Sequence, residues 1–94
     1  MIDLFPLFSA LSSPSRIGIV DILLTKGYTT GTILAKELGF DERTISDHLG
    51  VLFKAGLLLR KESGREVLFT LKDKRLVSLL FDTAFQLTKE GLLR

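Results

Sequence analysis

The apolar positions recur at helical spacing through most of the chain and then, once, switch to alternation. Leu4, Phe5, Phe8 and Leu11 share a face, which predicts a short helix over residues 3–11, with Pro6 in its first turn where a missing N–H does little harm. Ser13 and Pro14 restart the chain as an N-cap and a first helical position. The second predicted helix runs from Pro14 to about Thr25, burying Ile17, Val20, Ile22, Leu23 and Leu24, and Lys26-Gly27 closes it. Thr30 caps a third helix to about Leu38, which Gly39 ends. Asp41 caps a fourth from Glu42 to Lys54, with Gly56 as terminator. Beyond it the period drops from 3.6 to 2. Leu57–Glu62 and Arg65–Leu71 flank Ser63-Gly64 and read as a hairpin with a two-residue turn. That turn sets Glu62 opposite Arg65 and Lys61 opposite Glu66, as cross-strand charge pairs. A last helix is expected from about Lys74 to Lys89, reaching on toward Leu93, capped by Asp73. The prediction is a mainly α fold with a small β-hairpin, in the order α-α-α-α-β-β-α, as one domain over residues 1–94.

The third and fourth helices carry most of the functional information. Ala35, Gly39 and Ile45 sit four and then six residues apart: a small residue where two backbones meet, a glycine in the turn, and a β-branched residue plugging the joint. Two helices joined this way cross steeply, so the second can lie in the major groove of DNA while the first braces on the backbone. Stepping about 100° per residue from Ile45 gathers Ile45, Leu49 and Leu52 into a buried stripe, with Phe53 at its margin. Arg43, Asp47, Gly50 and Lys54 fall opposite, flanked by Thr44, Ser46 and Val51. A DNA-facing surface accounts for this better than a bare polar helix face.

Within that face, Arg43 lies where side chains of an inserted helix reach base edges, and its fork matches the O6 and N7 acceptors of guanine. Thr44 and Ser46 suit phosphates or a thymine methyl. Asp47 repels phosphate, so it either accepts from cytosine N4 or pairs with Arg43 one turn back and aims it, and the local pair is the favoured role. Gly50 costs the helix about 1 kcal/mol relative to alanine and leaves a surface that can sit deep in a groove. His48 borders the buried stripe. A packed or phosphate-bonded histidine is favoured over a metal ligand, because the chain has no second histidine and no cysteine.

Composition narrows the classes. Ninety-four residues suffice for a single core, and a charged fraction of 26% with 46% hydrophobic residues belongs to an ordinary globular domain. No apolar run approaches eighteen residues. The greasy start M-I-D-L-F-P-L-F is short and carries Asp3, so it reads as a packed segment, and a cytoplasmic protein without a membrane partner is expected. With no cysteines, disulfides, thiolate metal sites and thiol redox sensing are excluded. The absence of Asn and Trp, with a single Gln, hints at a thermophilic source. Net charge is +2, unevenly spread: residues 1–53 carry four Lys/Arg against six Asp/Glu, whereas residues 54–75 carry seven against three, a local +4. A basic stretch following a helix-turn-helix suits a phosphate-facing surface, while its bland counterpart is a solvated charged hairpin. No nucleophile–base pair, carboxylate dyad or phosphate loop appears, so an enzyme is not expected.

Three stretches together carry a resemblance: A-L-S-S-P-S-R-I-G-I-V-D-I-L-L, then L-A-K-E-L-G-F-D-E-R-T-I-S-D-H-L-G-V-L-F-K-A-G-L, then G-R-E-V-L-F-T-L. Over about Phe8 to Leu71 the chain resembles the ArsR family of winged helix-turn-helix transcriptional regulators. The resemblance implies a homodimer on a pseudo-palindromic operator in double-stranded DNA, usually repressing. It places recognition on Arg43, Thr44, Ser46, Asp47 and His48, and a DNA-contacting wing on Arg60 through Arg65. With Thr30, Lys54, Arg60, Lys61 and Arg65 added from the neighbouring segments, these are the candidate DNA-binding residues. The dimer interface falls on the first and last helices, with Leu4, Phe5, Phe8, Leu76, Val77, Leu80, Phe81, Ala84, Phe85 and Leu87 as candidates. The broad apolar band of the last helix supports this independently, since a domain this small can hardly cover it alone.

The departures from the family pattern are equally informative. The stretch G-T-I-L-A-K-E-L holds no cysteine, and the last helix offers Asp82 and Glu90 without a histidine, so metal sensing is not expected and no cofactor is implied. Gly50 stands where a basic residue is common, and Asp47 where a neutral or basic one is. In the hairpin, Arg60, Lys61 and Arg65 are nearly offset by Glu62 and Glu66, leaving +1. Each phosphate contact adds about 0.9 to the negative salt slope of log affinity, so a shallow slope is expected. The sequence thus points to a sequence-specific DNA-binding regulator, with a winged-helix protein-docking module as the competing class. The inducer, the operator sequence and the direction of regulation are not written in it.

Overall fold

Local capping signals set most of the helix boundaries in the computed structural model, which describes residues 3–89. Helix α1 (Leu4–Ala10) starts at Asp3, whose carboxylate accepts from the Phe5 N–H. The Ser13 hydroxyl accepts from the Arg16 N–H at the head of α2 (Pro14–Lys26), with Pro14 in the first turn, and the two helices meet at a bend of 97°. Helix α3 (Gly31–Leu38) is capped by Thr30 and ends at Gly39, whose left-handed φ of 73° a side chain would resist. Helix α4 (Glu42–Lys54) follows after three residues, capped by Asp41. Asp73 accepts from the Leu76 N–H at 2.9 Å at the head of α5 (Lys74–Lys89). The expected continuation toward Leu93, like Glu90, lies outside the described residues.

The β part is larger than the sequence pattern suggested. Tyr28–Thr30 forms a strand, β1, that pairs antiparallel with the second hairpin strand, giving a three-stranded sheet in the order β1-β3-β2. The chain order is therefore α-α-β-α-α-β-β-α. Strand β1 was missed because three residues carry too little alternation to register, and its partner lies forty residues away. The hairpin itself, β2 (Leu58–Ser63) and β3 (Glu66–Leu71), turns one residue later than expected. Ser63 pairs with Glu66, so the turn residues are Gly64 and Arg65. Gly64 takes φ of 63° and, among the described residues, no non-glycine residue has positive φ, which is the pattern of a type II′ turn with glycine first. This register sets Lys61 opposite Leu68 and Glu62 opposite Val67. The anticipated charge pairs are not formed.

The core sits between α2, α3, α4 and the root of the sheet. Ile19, Leu23, Leu34, Ile45, Leu52 and Leu57 are its largest fully buried side chains, and each contributes about 1.5–3 kcal/mol by leaving water. On α2 the buried face is Ile19, Val20 and Leu23; Ile17, expected inside, is exposed, and Ile22 and Leu24 are half-buried. On α1, Leu7 and Ala10 point inward while Leu4, Phe5 and Phe8 face out. The α4 stripe of Ile45, Leu49 and Leu52 is buried as expected, with Phe53 exposed at its margin. Gly31, at the start of α3, passes over this stripe: a Cβ there would lie 3.7 Å from Leu49 Cδ1.

Candidate nucleic-acid interface

Burial of one stripe of α4 turns its opposite face outward. Arg43, Ser46, Asp47 and Lys54 are exposed there, and Thr44 and His48 are half-buried on the flank. The helix N-terminus is held by Asp41, whose Oδ1 accepts from the Thr44 N–H at 2.7 Å. That bond, with the Thr44 hydroxyl next in effect, holds the Asp41 carboxyl below its ordinary 3.8. The expected pairing of Asp47 with Arg43 is not made: among the described residues the one ion pair joins Lys26 of α2 to Glu37 of α3. Asp47 therefore does not aim Arg43, and the Arg43 guanidinium projects without a carboxylate partner.

Beside α4 the hairpin contributes Arg60 and Arg65, and a cleft of about 660 Å³ separates it from α4 and the start of α3. Of the sequence-predicted residues, the cleft brings together Thr30, Ser46, Lys54, Arg60 and Arg65. Arg43, Thr44, Asp47, His48 and Lys61 lie outside its lining. The cations of this face, Arg43, Lys54, Arg60, Lys61 and Arg65, are all exposed and none has a carboxylate within 4 Å among the described residues. The cleft floor is apolar, with Ile33, Phe53, Val67 and Phe69, residues whose place in it was not foreseen. Thr30 touches the cleft but is 8% exposed, and its hydroxyl accepts from the Ile33 N–H. Its side chain is spent as a helix cap inside the strand–helix joint, so it drops out as a contact residue. Gly50 lines the cleft with open space where a Cβ would stand.

One contact behind α4 had no sequence signal. Arg16 of α2 donates from Nε to the Ala10 carbonyl at 2.7 Å, and its Nη1 lies 3.2 Å from His48 Nδ1. The His48 ring also packs on Phe40, centroid to centroid 6.2 Å. His48 is thus half-buried, with Arg16 of α2 and Phe40 of the turn between α3 and α4 as its neighbours. No three acidic or histidine side chains among the described residues cluster in a way that could hold a metal ion.

The second exposed feature is apolar. Leu4, Phe5, Phe8 and Phe85 are exposed, Ala84 also faces out, and Leu76, Leu80, Phe81 and Leu87 are half-buried. Val77, expected at the interface, is 1% exposed and packs within its own chain, because it sits on the α5 face that meets α2. Leu79, 64% exposed, joins the apolar surface instead. A second cleft, of about 740 Å³, runs between α1 and the start of α5.

Known proteins place this arrangement. The HTH-type transcriptional repressor SmtB of Mycobacterium tuberculosis is 36% identical over 76 residues, 81% of this chain and 56% of that protein. The crystal structure of a possible transcriptional regulator for arsenical resistance is 32% identical, covers 82% of this chain and 81% of its own, and superposes with a TM-score of 0.67. The chain belongs to the ArsR family of winged helix-turn-helix transcriptional regulators. Its fold also matches a homodimeric winged helix-turn-helix DNA-binding domain from Mycobacterium bovis, with a TM-score of 0.84, 22% identity, and 93% and 82% of the two chains covered. No protein-family model matches the chain. It spans less than two thirds of the length of the curated relatives it matches. No single helix among the described residues is long and apolar enough to cross a membrane.

Proposed function

We propose that this ArsR-family chain is a cytoplasmic, homodimeric, sequence-specific DNA-binding repressor that reads a pseudo-palindromic operator without sensing metal. The observation that carries the reading is the face formed by α4 and the hairpin: five exposed cations without carboxylate partners among the described residues, two of them on a helix whose other side is locked into the core and three on the hairpin beside it. In this reading the N-terminal turn of α4 enters the major groove. Arg43 reaches a guanine edge, Ser46 and Thr44 attend to neighbouring groups, and Lys54, Arg60, Lys61 and Arg65 lie along the phosphates. The exposed side chains of α1 and α5 pair with a second copy, which sets two such helices about one DNA turn apart. With no cysteine in the chain, thiolate metal sensing has no ligand to use.

Selection of bound sequences from random duplexes, followed by affinity measurement against salt, tests this directly. A two-fold symmetric motif is expected. Arg43→Ala should weaken the selected site by about 1–3 kcal/mol and relax one position per half-site. Lys54→Ala should weaken all sequences alike and flatten the salt slope by about 1 per subunit. A wild-type chain that enriches no motif and binds without salt dependence would favour protein docking, the reading supported by the 43% exposed Ile33 and Phe53 on the cleft floor.

A further inference from the structure

His48 is the chain's only histidine, and it sits on α4 with one ring nitrogen facing inward. Its Nδ1 meets Nη1 of Arg16 at 3.2 Å. A guanidinium has five N–H donors and no acceptor, and it does not lose its charge in proteins. Nδ1 must therefore be the acceptor. In the neutral ring that leaves the proton on Nε2. Arg16 is itself fixed from a third side, since its Nε donates to the Ala10 carbonyl at the end of α1. The Phe40 ring lies beside the imidazole, tilted by 53° with centroids 6.2 Å apart, a second neighbour for the ring. Among the described residues the outer nitrogen, Nε2, has no hydrogen-bond partner. The sole buried side-chain polar atom without one, among the described residues, is Thr29 Oγ1, so Nε2 reaches solvent.

We propose that Arg16, which touches no DNA in the reading above, is the positioning residue for His48: it fixes the imidazole in the Nε2–H form and so presents a neutral N–H donor on the flank of α4 to a phosphate oxygen of the operator. The proposal rests on the DNA-binding reading for its acceptor but not for its geometry. A backbone phosphate is the fitting acceptor because it offers lone pairs and no competing donor, whereas base edges present both. The Nδ1–H form would present a lone pair outward and repel the same phosphate. Arg16 thus determines whether this flank of α4 donates or accepts.

The single histidine makes the test clean. Two-bond proton–nitrogen spectra of the uniformly labelled chain, in the neutral form of the ring, should show the proton on Nε2 in the wild type. In Arg16→Gln, whose amide can donate or accept, the two nitrogen shifts should move toward each other as both forms become populated. Arg16→Lys, still donor-only, should hold the wild-type pattern. Operator affinity should fall about three- to tenfold per subunit in Arg16→Gln, the value of one hydrogen bond. It should fall equally in His48→Ala and no further in the double variant. A wild-type spectrum with the proton on Nδ1, or an Arg16→Gln loss that persists undiminished in the His48→Ala background, would overturn the proposal; the latter would make Arg16 a purely structural strut. Preserved Nε2–H spectra in a wild-type chain that binds no DNA would support the Arg16–His48 relation and overturn the DNA reading instead.

Discussion

Helices α4 and α5 are built from similar ingredients and end in opposite situations. Over thirteen residues, α4 buries Ile45, Leu49 and Leu52 against α2, α3 and the sheet root. Over sixteen, α5 buries Val77 alone and leaves Leu79 and Phe85 64% and 69% exposed. The apolar stripe of α4 is fully used by its own chain, so what it offers outward is polar and charged. The stripe of α5 is mostly unused, so what it offers outward is apolar. The two surfaces solicit different partners for one physical reason: unburied apolar area drives association with another apolar face, and unpaired charge on a rigid helix drives association with an opposite charge.

Three measurements can break or sharpen that contrast. The largest effect is expected at Leu52, 0% exposed. Leu52→Ala should cost about 2–5 kcal/mol in denaturant unfolding, because the site is closed on all sides and collapses poorly around a cavity. A cost below 1 kcal/mol would mean that α4 is not held by its stripe. The mirror substitution, Phe85→Asp on α5, should leave unfolding within about 0.5 kcal/mol at concentrations where the chain is monomeric. At higher concentrations it should shift sedimentation from dimer to monomer. A wild-type chain that stays monomeric throughout would show that the α5 face serves something other than self-association.

The smallest effect belongs to the α4 cap. Because native-state hydrogen bonds hold the Asp41 carboxyl below its ordinary 3.8, its contribution is present above that pH and is lost as pH falls through the lower folded-state value. Asp41→Ala should therefore melt below wild type at neutral pH, with the gap closing in acid. A gap that stays constant down to pH about 2 would separate the cap from its charge.

Features set by neighbouring residues were legible in the sequence. The Ser13, Asp41 and Asp73 caps, the Gly39 turn and the Ile45–Leu49–Leu52 stripe are all one-turn relations, and each is found where expected. Several of the misses have a common cause: they depend on contacts across long separations. Tyr28–Thr30 becomes a strand through Leu68–Thr70, and Arg16 meets His48 across thirty-two residues. Ile17 and Ile19 are equally apolar, and only the angle at which α2 enters the core decides that Ile19 is buried. The hairpin register turned on the choice between Ser63-Gly64 and Gly64-Arg65, two adjacent turns containing the same glycine. At the interface, Arg43, Ser46 and Lys54 stand out on α4 as read, whereas the Arg43–Asp47 pair failed because two exposed chains gain too little from each other to hold still.

Strand β1 covers β3 from Leu68 to Thr70 and no further. Thr70 adds a second rivet, its hydroxyl donating to the Gly27 carbonyl at 2.6 Å. Below this line the hairpin is three strands wide and fastened to the ends of α2 and α3. Above it, from Glu62 to Val67, only two strands continue, as a ribbon with no third strand among the described residues. The molecule thus has a stiff handle and a compliant blade meeting between Val67 and Leu68. Arg65 rides on the blade and Arg60 on the handle, so residues at the tip can be exchanged, lengthened or bent to follow the contour of a duplex while the angle between α4 and its surroundings stays fixed.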